Sequence, residues 1–207
     1  MAIFSMPANT VGLIVRGKKD DAHSPGVMEQ HADCVLSTGE PIGFFGDNGD
    51  ASSGGTSASR NPGGLSASWN SSGLNMKGMV ADYNGLRRIR PYYVDAAIAK
   101  KYNVVSTLIL ITVTPTQSSL FDQAWKNLKL SPGSFNLLGG NCSTHASIAF
   151  VEAKIVSGGI PGLDTPDNLY HQLKSKMAGK YKIYSGYLGF RPTLSKRFDI
   201  EVEKATP

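Results

Sequence analysis

Two glycines, an asparagine and a cysteine, followed at once by an apolar run, constrain this chain more than any other stretch. The segment reads Leu137-Leu138-Gly139-Gly140-Asn141-Cys142-Ser143-Thr144-His145-Ala146 and continues through Ser147 to Val156. The glycines let the backbone turn tightly and approach other groups closely. Asn141 is a good N-cap, and apolar residues recur at helical spacing at Ile148, Phe150, Val151, Ile155 and Val156. The spacing predicts a helix whose first turn carries Cys142. Unpaired N–H groups and the positive end of the helix dipole favour an anion there, so the thiol pKa should fall. The N–H of Cys142 points into the same space, so this helix start, with Gly140 and Asn141 as positioning residues, can supply a sulfur nucleophile and part of an oxyanion hole. The competing role for such a cysteine is that of a small buried hydrophobe. A histidine from elsewhere in the chain, able to meet Cys142 in space, decides between the two.

At 207 residues the chain can bury one sizeable core, and a single domain over 1–207 is expected. The only two cysteines, Cys34 and Cys142, imply no disulfide framework. Met1-Ala2-Ile3-Phe4-Ser5-Met6-Pro7 lacks the basic and apolar regions of a secretory signal, and the longest apolar stretch, Val104 to Val113, is interrupted by Ser106, Thr107 and Thr112 and is far short of a membrane span. The net charge of +5 is scattered, with its densest clusters at Arg16-Gly17-Lys18-Lys19 and Arg87-Arg88-Ile89-Arg90. No aromatic-rich pattern accompanies them, so nucleic acid is not an expected partner; they read as solvated faces, or as attraction to an anionic envelope polymer. Nothing resembles a CxxC pair, a phosphate-binding glycine loop or an HExxH helix, so no metal or nucleotide cofactor is expected.

Thr10 to Arg16 reads as a first strand, Gln30 to Ser37 as a second, and Ile42 to Gly46 as a third, with the second and third forming a hairpin. His31 then stands at the strand end away from the turn. If Thr38 to Glu40 form the loop, antiparallel pairing sets His31 opposite Asp47, whose carboxylate would fix the imidazole as a third catalytic residue; Glu40 is the fallback. Cys34 faces the other side of the sheet and reads as core. From about 47 to 72 the glycine- and serine-rich composition predicts a flexible insertion, and Trp69, Leu74, Met76 and Met79 beyond it fit either a lid or a surface loop. Tyr102 to Val113 is the most strand-like run and is expected to be central, and Thr114-Pro115-Thr116-Gln117 opens a helix with Leu120, Phe121, Ala124, Trp125 and Leu128 on its buried face. Asp164-Thr165-Pro166-Asp167 caps a further helix, and the tail alternates as strands.

The order of these parts resembles the circularly permuted papain-like group, which includes permuted NlpC/P60 hydrolases and the lecithin:retinol acyltransferase-like enzymes. The resemblance rests on His31-Ala32, Gly43-Phe44-Phe45-Gly46, Phe135 to Ser143, and Asp164-Thr165-Pro166 with Leu169, and spans about residues 10 to 175. It implies an α+β papain-like fold with a small antiparallel sheet packed against helices and the catalytic Cys142 at a helix N-terminus. Gly43 stands where acyltransferase relatives often carry a second histidine, and Asn141-Cys142-Ser143-Thr144 departs from their Asn-Cys-Glu-His pattern, so that branch is disfavoured. The chain looks most like antibacterial effector domains delivered by type VI secretion. That implies synthesis in the cytoplasm without a signal peptide and action in the periplasm of a target bacterium, as a cysteine amidase or endopeptidase on peptidoglycan stem peptides. The partners implied are a secretion carrier and a cognate immunity protein. Alternatives are a lipid-directed thiol acyltransferase or phospholipase on the same Cys142–His31 pair, and a non-catalytic papain-like binding module.

Overall fold

The computed structural model describes residues 1–26, 30–47, 76–135, 141–157 and 165–205. It is α+β, with helices on both faces of an antiparallel sheet. The strands are β1 (Ala2–Ser5), β2 (Thr10–Arg16), β3 (His31–Val35), β4 (Pro41–Asp47), β5 (Met76–Ala81), β6 (Ser106–Thr112), β7 (Ser134–Phe135), β8 (Tyr181–Pro192) and β9 (Phe198–Glu203). The helices are α1 (Tyr83–Ile89), α2 (Ala96–Lys101), α3 (Pro115–Leu130), α4 (Cys142–Glu152) and α5 (Pro166–Lys176), with a 3-10 turn at Pro91–Tyr93 between α1 and α2.

The sheet is larger than the small one expected. Among the described residues nine strands run in the order β1-β9-β8-β6-β2-β3-β4-β5-β7. Its extent depends on β8, which pairs with β6 through Tyr181 to Gly186 and with β9 through Tyr187 to Pro192. The change of partner falls at Gly186, whose φ is 145° and where a Cβ would sit 2.2 Å from the Glu203 carbonyl oxygen. Only glycine tolerates both that backbone angle and that approach.

Because helices cover both faces, β2 and β6 bury residues on both sides and read as continuous apolar runs rather than alternating ones. One core joins Val11, Leu13 and Val15 of β2 to Phe121 and Trp125 of α3, Phe150 of α4 and Leu169 of α5. The other joins Ile14, Leu108 and Leu110 to Leu86, Tyr92, Tyr93 and Ala99 on α1, the 3-10 turn and α2. Each large side chain sealed in this way contributes about 1.5–3 kcal/mol. α3 begins as expected, with Pro115 in its first turn and a reciprocal cap between Thr114 and Gln117, but Leu120 lies at its exposed edge. α5 is capped by Thr165, which accepts from the Asn168 N–H.

Met76 and Met79 lie in β5, with Met79 paired to Phe45, so they are sheet residues and not part of a lid. The insertion expected at about 47–72 falls, except for Asp47 at the end of β4, outside the described residues, as do Trp69 and Leu74. Among the described residues no helix is long and apolar enough to cross a membrane.

Candidate active site

Cys142 is the first residue of α4, as its sequence implies. The Asn141 side chain caps the helix, its Oδ1 accepting from the Thr144 N–H at 3.0 Å and from the hydroxyls of Ser143 and Thr144 at 2.8 and 3.1 Å. Asn141 thus fixes the angle at which α4 starts and with it the direction of the thiol. Gly140, the other expected positioning residue, lies outside the described residues.

How Cys142 meets His31 is less obvious, because β3 alternates between two faces. His31 and Asp33 point toward the Tyr93 side, whereas Ala32 and Cys34 share the other core with Cys142. The sheet itself provides the passage. The β3–β4 ladder runs only from Val35↔Pro41 to Asp33↔Gly43, and beyond that pair β4 continues with β5 alone. Where the strands part, the Ala32 N–H donates to Cys142 Sγ at 3.4 Å, and the thiol lies close enough to the imidazole on the far face for each to shift the other's pKa.

Behind the imidazole the groups form a chain. His31 Nε2 is 2.8 Å from Asp33 Oδ1, leaving Nδ1 as the nitrogen for the thiol. Arg16 Nε donates to the other oxygen, Asp33 Oδ2, at 2.8 Å. The Arg16 fork is filled further by the Tyr93 carbonyl at 3.0 Å and Ser106 Oγ at 3.4 Å. All four side chains are buried; His31 retains 8% and Cys142 3% of their exposure, against 0% for Asp33. Gly43 sits opposite Asp33, and a Cβ there would come 2.1 Å from Asp33 Oδ1. The glycine is therefore the space into which the carboxylate turns toward His31.

The electrostatics follow from this geometry. Burial pushes the His31 pKa down, but the charges of Cys142 and Asp33 and its hydrogen bonds to both outweigh it, and the imidazole is raised to about 9. Burial likewise pushes the Cys142 thiol up, yet the imidazolium charge, the hydrogen bond to His31 and the Ala32 N–H bring it below its ordinary value. Asp33 is held below the usual carboxylate range, because His31 and Arg16 overcome the cost of burying it. The resting state favoured is a thiolate–imidazolium pair. Cys34 is the contrast, with its thiol pushed well above its ordinary pKa, first by burial.

The strand register and the turn set neither expected third residue, Asp47 or Glu40, opposite His31. The Leu36 N–H bonds to the Glu40 carbonyl and Val35 pairs with Pro41, so the loop residues are Ser37, Thr38 and Gly39 and the register differs by two from that expected. Phe45, not Asp47, is the β4 residue against His31, its ring stacked at 4.5 Å; the Asp47 backbone pairs with Lys77. Glu40 lies at the turn end of the hairpin, where burial raises its carboxyl and its charged neighbours are Asp82, Lys129 and Asp122. Asp33 is the carboxylate that meets the imidazole instead. Its signal was present in the sequence, since residues two apart on a strand share a face. His145 stacks on Phe44 with centroids 3.4 Å apart and reaches the carbonyls of Asn141 and Pro132, so its partners do not include the thiol.

A cavity of about 320 Å³ between β5 and α1, lined by Met79, Asp82, Arg88 and Ile89 among others, includes none of these groups. Among the described residues no cluster of His, Cys, Asp or Glu is arranged to hold a metal ion. No protein family, curated protein or solved structure matches the chain.

Proposed function

We propose that this protein is a cysteine hydrolase of permuted papain-like type that cleaves amide bonds in the stem peptides of bacterial peptidoglycan, acting as an antibacterial effector in the periplasm of its target. The observation that carries the reading is the buried chain Arg16–Asp33–His31–Cys142, which ends on a thiol at a helix N-terminus. A cysteine that served only as core would have no use for a buried charge relay directed at it.

In the reaction, the proton of the Cys142 thiol resides on His31 and the thiolate attacks the substrate carbonyl carbon. The oxyanion is met by the N–H of Cys142 at the start of α4. The imidazolium gives its proton to the leaving amine, the C–N bond breaks, and a thioester remains on Cys142. His31 then takes a proton from water, the hydroxide displaces the thiolate, and the carboxylic acid product departs. Asp33 holds the ring and offsets its charge throughout, and Arg16 keeps Asp33 ionised.

The test is incubation of purified protein with intact sacculi and, separately, with phospholipid vesicles, followed by mass spectrometry of the products. Shortened stem peptides released by the wild type but not by Cys142→Ala or His31→Ala support the reading. Lipid products alone would move the substrate to the acyltransferase or phospholipase alternative, and no product from either would leave the scaffold as a binding module.

A further inference from the structure

Arg90 follows α1, and its guanidinium carbon lies 5.2 Å from the ring centroid of Phe45 and 5.7 Å from that of Tyr93. The His31 imidazole stacks on the same two rings, at 4.5 and 5.6 Å. The cation and the imidazole therefore share two aromatic neighbours, and the distances to Phe45 bound their separation to what about three extended residues span at about 3.5 Å each.

Arg90 and Arg16 are held differently. Arg16 is sealed from solvent, and each of its three nitrogens has a partner, in Asp33, Ser106 and the Tyr93 carbonyl. Among the described residues the Arg90 side chain has one hydrogen bond, from Nη1 to the Tyr92 hydroxyl at 3.2 Å, and no carboxylate partner. The charge of Asp33 reaches it, but both Asp33 oxygens are already engaged by His31 and Arg16. In the resting site Arg16 offsets Asp33 and the imidazolium offsets the thiolate, which leaves the charge of Arg90 unmatched. Its side chain is partly buried against the ring faces that orient it, and apart from the Tyr92 bond its donors have no protein partner among the described residues. A weakly hydrated planar fork with open donors is the arrangement that takes a carboxylate in bidentate fashion.

We propose that Arg90 is a substrate-binding residue that takes a carboxylate of the substrate, placed within about three residues of the scissile bond, and so selects peptides whose carboxyl there is free rather than amidated. The choice of a peptide ligand rests on the hydrolase reading; the preference for an anion rests on Arg90 alone.

The experiment measures binding without turnover. The Cys142→Ala protein is titrated calorimetrically with L-Ala-γ-D-Glu-L-Lys-D-Ala, C-terminally amidated, with the D-Glu α-carboxyl either free or a carboxamide. The free acid is expected to bind about 10-fold tighter or more. Adding Arg90→Gln should remove that gap by weakening the acid form alone, and Arg90→Lys, which keeps the charge without the fork, should restore part of it. Equal binding of the two peptides, a gap that survives Arg90→Gln, or no binding of either peptide overturns the proposal. Cleavage by the protein with Cys142 intact is scored separately: an acid preference in binding without cleavage would sink the hydrolase reading and leave the anion subsite standing.

Discussion

His31 and Asp33 stand two residues apart on one strand and meet at 2.8 Å, in a space kept open by the absence of a side chain at Gly43. From this pair the rest of the site can be argued outward, to Arg16 behind the carboxylate and to Cys142 through the parting of β3 and β4.

Replacing Asp33 by Asn keeps the shape but removes the charge that holds the imidazole. Turnover is expected to fall about 10²- to 10⁴-fold, measured as kcat/KM on released stem peptides. The same change strips Arg16 of its buried counter-ion, so a stability loss of about 3–5 kcal/mol should accompany it in denaturant unfolding. Unchanged turnover would remove Asp33 from the relay.

Gly43→Ala introduces a single methyl against Asp33 Oδ1. The carboxylate must swing away or the strand must shift, and overpacking of this kind costs about 1–3 kcal/mol. Activity should fall with stability, and the alkylation rate of Cys142 by iodoacetamide should fall as well, because the imidazolium loses its partner. A variant with wild-type melting temperature and alkylation rate would contradict the account of Gly43.

The pH profile has its sign fixed by the dyad. Activity should rise as Cys142 ionises below the ordinary thiol pKa of 9.0 and fall as His31 deprotonates near 9, giving a bell in kcat/KM. In Cys142→Ala the leading upward influence on the imidazole is gone, and NMR titration should find the His31 pKa well below 9. For stability, Asp33 has a lowered folded pKa, so its contribution is complete above its ordinary 3.8 and is lost as pH falls through the lowered value. Asp33→Asn should flatten that acid limb.

Lys18, two residues past the end of β2, is fully buried and pairs with Asp167 of α5 at 2.8 Å, with the Tyr170 ring 4.7 Å away. This pair fastens α5 to the chain leaving β2. Lys18→Met should cost about 3–5 kcal/mol by leaving Asp167 without its partner, and the double change with Asp167→Leu should recover much of it. Denaturant unfolding of the two variants checks this.

What the sequence disclosed was local. The N-cap at Asn141 and the helix start at Cys142 lie where composition and spacing set them, and the strand expected over Gln30 to Ser37 forms over His31–Val35. The register of the hairpin did not, because a loop centred one residue earlier moves the partner of His31 by two positions, from Asp47 to Phe45. β5 escaped notice because Gly78 and its methionines continue the glycine-rich stretch before it. That glycine is required by packing, since a Cβ there would lie 2.5 Å from the Phe44 ring. In the sequence Arg16 and Arg90 read as members of basic surface clusters. Only the fold, by bringing β2 and the residue after α1 to the same side of β3, turns one into a buried counter-ion and the other into a cation beside the imidazole.

The central claim is that folding passes the Cys142 thiol through the sheet to His31 and makes it a thiolate. The most direct test is the pH dependence of alkylation by iodoacetamide, with mass spectrometry separating Cys142 from the buried Cys34. The account predicts that Cys142 reacts well below pH 9, that His31→Ala shifts its reactivity to the alkaline side of 9, and that Cys34 stays inert in both. A Cys142 as unreactive as Cys34 at neutral pH, or one whose profile is unmoved by His31→Ala, would contradict it.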